Sequence, residues 1–313
     1  MRRVAVLDLG TNTFNLLIAE QVNNEKYTIL FSEKYPVKLG EGGINKGEIT
    51  ATAISRAHKA ISYYHTQIIN YKVSKIKAYG TSAFRTAENG LAFMSEVKKK
   101  YQIDIEIISG DKEAELIYLG VRQTLLLTNH KFLILDIGGG SNELILADMH
   151  RMYWKKSYPL GIARLLEKFT PSDPLTPNET EAISNYLESE LSDLFSILKE
   201  YNIQTLVGAS GSFETFVHMI KESEVIETEG ETEGVCNEIP LAQYFELHQK
   251  LISSSFAQRT KMKGLEPMRI EMIVLASLFV NTLLKKHSFN TLYQSNFALK
   301  EGAVLEILNN TNQ

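Results

Sequence analysis

A chain of 313 residues and 35.3 kDa is long enough for two domains of ordinary size, and 44% hydrophobic with 22% charged residues is the balance of a globular protein with a substantial core. The net charge of −4 excludes a global field that gathers polyanions, so an anionic ligand would depend on cations placed locally. The single cysteine, Cys236, excludes a disulfide framework and a cysteine-cluster metal site, and fits a reducing compartment.

Residues 4–20, VAVLDLGTNTFNLLIAE, read as an apolar strand ending in Asp8, a turn from Gly10 to Thr13, and a second strand from Phe14. A third strand follows within 27–43 and enters a glycine-bearing loop. The spacing of Ile54, Ala57, Ile61, Tyr64 and Ile68 predicts a helix over 50–71, with Thr50 able to cap it. Next come a short strand at 75–79, a polar turn GTSAFRTAENG at 80–90, a helix at 91–101, a strand at 103–108 and a helix at 111–127. Strands and helices alternate, which is an α/β pattern.

The second half repeats that order. Residues 131–149, KFLILDIGGGSNELILADM, form a strand ending in Asp136, a turn through Gly138, Gly139, Gly140 and Ser141, and a returning strand that begins near Glu143. A strand is expected at 152–161, three prolines punctuate 170–177, and 178–201 reads as one long helix with Leu187, Leu191, Leu194, Phe195 and Leu198 inward. Strand 205–207 opens into GASGSFET, and the acidic segment 221–234 reads as a solvated loop. Helices at 240–253 and 268–285, a strand at 290–293 and a terminal helix from 299 complete the chain.

The two hairpins share a register: Asp8 with Asp136, Gly10 with Gly138 and Asn12 with Gly140, 128 residues apart. That echo predicts a duplicated half-chain, with domains at 1–127 and 128–313 and a terminal helix that packs back on the first. Each half would present one loop to a shared cleft. Glycines let backbone N–H groups approach an anion closely, and Asp136 and Glu143 facing the turn suit a Mg²⁺ shared with phosphate oxygens. No GxxxxGK[ST] run is present, and GASGS has its serine at the wrong offset for a nucleophile elbow. The seven histidines are scattered without metal spacing, and no nucleic-acid motif occurs. With no signal peptide read before the first strand, and 272–284 too short an apolar run for a bilayer, a cytoplasmic protein without a membrane partner is expected.

DLGTNTFNLLI (8–18), GTSAFRTAEN (80–89), SGDKEAELIYLGV (109–121), DIGGGSNEL (136–144), GASGS (208–212) and ALKEG (298–302) occur in that order. Together they resemble the exopolyphosphatase / guanosine pentaphosphate phosphohydrolase family. The resemblance implies duplicated ribonuclease-H-like domains of the actin/hexokinase-like superfamily, in a short two-domain form that forms a homodimer. It implies hydrolysis of a terminal phosphoanhydride, with inorganic polyphosphate or guanosine pentaphosphate as substrate. Glu113 matches the position of the family's catalytic glutamate and would position the attacking water. Asp136, Glu143 and Asp8 would hold Mg²⁺, another divalent cation or K⁺ being alternatives, and Glu143 could share the water.

Phosphate contacts would come from Asn12, Thr13, Gly138, Gly139, Gly140 and Ser141, with Ser210 and Gly211 repeating donor-rich chemistry later in the chain. Arg85 would be a bidentate phosphate clamp. Asn15 stands where many relatives carry a cation, and Lys300 replaces a usual arginine. Rival readings are an ATP-dependent kinase on the same fold and a non-hydrolytic polyphosphate or alarmone sensor.

Overall fold

The computed structural model describes residues 2–23, 26–125, 130–223 and 236–309. The first half contains β1 (Arg3–Leu9), β2 (Thr13–Gln21), β3 (Tyr27–Pro36), α1 (Ala51–Asn70), β4 (Lys75–Gly80), α2 (Ser82–Thr86), α3 (Gly90–Tyr101), β5 (Ile105–Ile107) and α4 (Gly110–Val121). Its sheet runs β3-β2-β1-β4-β5, with antiparallel hairpins on one side of β1 and parallel crossovers on the other.

The second half contains β6 (Phe132–Ile137), β7 (Asn142–Ala147), β8 (Met152–Tyr158), α5 (Ile162–Phe169), α6 (Pro177–Glu190), α7 (Ser192–Tyr201), β9 (Thr205–Ala209) and α8 (Gly211–Ser223). It continues through β10 (Cys236–Glu238), α9 (Leu241–Ile252), α10 (Phe256–Arg259), α11 (Ile273–Lys286), β11 (Thr291–Ser295) and α12 (Leu299–Asn309). Its sheet order is β10-β11-β9-β6-β7-β8. β6 pairs antiparallel with β7 and parallel with β9, as β1 pairs with β2 and β4. The duplicated α/β architecture expected from the two hairpins is therefore the one observed.

β1 and β6 are buried on both faces because helices cover both, which is why they read as continuous apolar runs. The first sheet packs one face on α1 and α3, through Leu7, Leu16, Ile61, Tyr64 and Phe93. The second sheet packs its outer face on α6, α7, α8, α9 and α11. Between the sheets lies a third core, in which α4 and α12 are sandwiched between Val4 and Val6 on one side and Ile134, Ile145 and Val207 on the other. The terminal helix α12 packs against α4, β1 and β2. A Cβ on Gly120 would stand 1.9 Å from the Ala298 carbonyl oxygen, and one on Gly302 would stand 1.8 Å from that of Leu116. Only glycine permits this approach.

Several expectations need correction. The polar stretch at 80–90 holds the short helix α2, which carries Arg85. The helix expected over 178–201 breaks at Leu191, although helical hydrogen bonds continue on either side, from Leu191 N–H to Leu187 O at 3.0 Å and from Phe195 N–H to Leu191 O at 3.1 Å. The helix expected from 268 begins at Ile273. Residues 266–272 instead form tight turns, with Arg269 N–H bonded to Glu266 O and Met272 N–H to Arg269 O, both at 2.9 Å. Helices α5 and α10 and strand β10 were not anticipated. The expected domain boundary at 127/128, and the acidic segment beyond Ser223, lie outside the described residues.

Candidate active site

The two hairpin turns are built alike. The Gly10 N–H donates to the Thr13 carbonyl at 3.1 Å, and the Gly138 N–H donates to the Ser141 carbonyl at 3.1 Å. In the strands behind them Asp8 pairs with Asn15, and Asp136 pairs with Glu143. The loops interdigitate at the mouth of a cleft. A Cβ on Gly139 would lie 2.5 Å from the Asn12 amide, and one on Gly140 would lie 2.6 Å from the hydroxyls of Thr11 and Ser82. Glycine is thus required there for contact between the halves. The Gly138 N–H also donates to Asn142 Oδ1 at 3.1 Å, so it is committed within the turn and is not a free donor for phosphate. Arg164 stitches the same region, donating from Nε to the Gly140 carbonyl at 2.8 Å and from Nη1 to the Ile44 carbonyl at 3.0 Å.

One cleft gathers Asp8, Asn12, Thr13, Glu113, Asp136, Gly138, Gly139, Gly140, Ser141, Glu143, Ser210 and Gly211. Glu113 arrives there because Ser109 caps α4, its hydroxyl accepting from the Lys112 N–H at 3.1 Å, while Gly110 sits too close to Ser157 for any side chain. The Glu113 side chain, facing inward, is buried, and Glu115 turns away to meet Lys155 at 2.5 Å. Arg85 stands behind the cleft wall. It donates from Nη1 to Glu113 Oε2 at 2.7 Å and to the Ile108 carbonyl at 3.0 Å, and from Nη2 to Ser141 Oγ at 3.1 Å. Nη1 thus spends both its N–H groups on protein and Nη2 makes one bond, so Arg85 holds Glu113 and Ser141 in place.

Four carboxyls line the cleft, Glu113 and Glu143 buried and Asp8 and Asp136 half-buried. Burial, reinforced by Glu113 and Asp8, pushes the Asp136 pKa up to about 7. Burial and Asp136 push Glu143 to about 7, against hydrogen bonds from Ser157 at 2.7 Å and from Ser141. Asp8 is raised by burial to about 6, opposed by Lys300 and by the Asn15 amide at 2.9 Å. Burial and then Glu143 hold Glu113 well above the usual carboxylate range, with Arg85 pulling the other way.

The same cleft also carries the cations Lys34, Arg269 and Lys300. Lys34 of β3 pairs with Glu214 of α8 across the halves. Lys300 lies 2.8 Å from Glu301, and Arg269 lies flat on Gly211, where a Cβ would stand 1.8 Å from its Nη2.

The Ppx/GppA phosphatase family model matches residues 17–311. The chain belongs to that family. A putative exopolyphosphatase of Haemophilus influenzae is 26% identical over 310 residues, covering 99% of this chain and 93% of the relative. A guanosine-5'-triphosphate,3'-diphosphate pyrophosphatase of Photobacterium profundum is 24% identical, covering 97% of this chain and 59% of the relative. A crystal structure of an exopolyphosphatase from Cytophaga hutchinsonii superposes with a TM-score of 0.93 at 34% identity, covering 99% of this chain and 98% of that one. Membership makes the chain a hydrolase of phosphoanhydride bonds.

Within the Ppx/GppA frame, Lys34, Glu214 and Arg269 were missed from the sequence, and Lys300 was read only as a weakened contact. Lys34 had a usable signal, since hairpin pairing sets it beside Asn15. Arg269 had none, because a helix was expected where the turns bring it inward. Among the described residues, no three carboxylate, imidazole or thiol groups already converge as a complete metal site. The donor set still suits a hard cation. Asp8, Asp136 and Glu143 are oxygen donors lining one cleft, where burial outweighs the charges of Lys300 and Arg85 and keeps their pKa values raised, and phosphate oxygens could complete the coordination. No helix among the described residues is long and apolar enough to cross a membrane.

Proposed function

We propose that the protein is an exopolyphosphatase in which Glu113 positions and deprotonates the water that attacks the terminal phosphoryl group. The observation that carries this reading is the pairing of Arg85 with a buried, cleft-facing Glu113 whose pKa burial holds above the usual carboxylate range. A carboxylate in that state is a competent proton acceptor, and the guanidinium fixes the direction of its free lone pairs. Glu143, which acts electrostatically on Glu113 and accepts from Ser157, would share the water. The loops at Asn12–Thr13 and Gly139–Ser141 would hold the phosphoryl oxygens. Mg²⁺ held by Asp136, Glu143 and Asp8 would neutralise charge on the transferring group.

The proton leaves water for Glu113 as the water oxygen bonds phosphorus, and the bridging oxygen departs with the shortened chain. Phosphate release from polyphosphates of defined length, with and without Mg²⁺, tests the reading, with guanosine pentaphosphate assayed in parallel. Release from guanosine pentaphosphate alone would replace the substrate and keep the chemistry. No release from either would overturn both.

A further inference from the structure

Three side chains in register cross the end of the first sheet: Asp8 on β1, Asn15 on β2 and Lys34 on β3. The amide of Asn15 is occupied with Asp8, and the cation within that row is Lys34, with its backbone roughly 10 Å from that of Asp8 at ordinary strand spacing, while Lys300 of α12 acts on Asp8 from outside the row. A chain whose terminal phosphate sat among the acids would reach Lys34 only with phosphates further along. Lys34 is not free. It spans the cleft to Glu214, in the first turn of α8 in the other half.

Glu214 sits as an anion would. Burial opposes its ionisation, yet Lys34 foremost, with Lys300 and Arg269 adding, holds its pKa below the usual value. Arg269, stacked on Gly211, has a buried Nε without a hydrogen-bond partner. Lys34, Arg269 and Lys300 all line the cleft with Glu214, and Lys300 also pairs with Glu301.

We propose that Glu214 is an internal stand-in for a distal substrate phosphate, and that the Lys34–Glu214 pair is a latch between the halves which a long phosphate chain breaks by taking Lys34 for itself. The proposal rests on the exopolyphosphatase reading and adds a chain-length determinant to it. Short chains that stop before Lys34 leave the latch closed and gain nothing from it. Longer chains exchange one carboxylate for a phosphate of higher charge, and meet repulsion from Glu214 as they do so.

The test compares tripolyphosphate with a long polyphosphate in the wild type, Glu214→Gln and Lys34→Met, with thermal melts to verify folding. Glu214→Gln removes the competing charge at constant size and should lower KM for the long chain about five-fold. Lys34→Met should raise the ratio of long-chain to short-chain KM by about ten-fold, acting on KM far more than on kcat. A Glu214→Gln enzyme whose long-chain KM stays the same or rises overturns the latch, as does a Lys34→Met enzyme with an unaltered ratio. Direct binding of the same two polyphosphates to Glu113→Gln protein, with and without Glu214→Gln, separates the claims. Absent turnover in the wild type defeats the functional reading, whereas binding that Glu214→Gln fails to tighten defeats the latch.

Discussion

Arg85 Nη1 lies 2.7 Å from Glu113 Oε2, and the same guanidinium reaches Ser141 Oγ through Nη2 at 3.1 Å. One side chain from the first half thus ties the proposed base on α4 to the glycine turn of the second half. Replacing Glu113 by Gln keeps the shape and removes the proton acceptor, so kcat should fall by about 10²–10⁴-fold while the melting temperature is kept. Arg85 pulls the Glu113 pKa down. In Arg85→Met the acid limb of the pH–rate profile should therefore move to higher pH, and a limb that stays in place would assign the base elsewhere.

Stability should depend on pH through the same carboxyls. Folded-state values of about 6 for Asp8 and about 7 for Asp136 and Glu143 lie above the ordinary values of 3.8 and 4.5. The folded protein binds more protons than the unfolded chain between these limits. This contribution is complete below about pH 4 and is lost as pH rises through about 7. Melting temperature of the ligand-free protein should fall across that window because of these groups. Asp136→Asn should flatten the slope, and an unchanged slope would mean the acids are not buried together as described.

Gly302 allows α12 to lie directly on α4. A methyl group there meets the Leu116 carbonyl at 1.8 Å, so Gly302→Ala must pry the two helices apart within the middle core. The expected loss is about 3 kcal/mol, read by calorimetry or denaturant titration. A loss under about 0.5 kcal/mol would show that the helices yield without cost.

Gly139 meets the Asn12 amide, which itself donates to Met272 Sδ at 3.0 Å. Gly139→Ala should lower turnover by separating the two loops, and Asn12→Gly should recover part of it in the double variant. Such non-additivity is the signature of direct contact. Strict additivity of the two single changes would argue that the loops move independently.

Much of this was legible locally. The duplicated strand–Asp–Gly–turn–strand unit is written within about 15 residues on each occasion, and its hairpin geometry follows from two continuous apolar runs broken by a glycine turn. Glu113 was reachable through the SGDKEAELIYLGV motif at 109–121, which matches the family's pattern. Arg85 was found, yet its direction was not, since whether a guanidinium meets a ligand or a carboxylate depends on residues 28 and 56 positions away.

By itself the sequence determined the periodicities, the turn chemistry, the caps and the repeated register, because each depends on neighbours a few positions apart. Only tertiary structure decided which charges meet. Lys34 and Glu214 are 180 residues apart and come together through the closing of two halves over α4 and α12. Arg269 enters the cleft because turns at 266–272 replace the helix that local periodicity favoured. The raised carboxyl pKa values have the same origin: water is excluded only once both hairpins share one cleft, and no local pattern encodes that exclusion.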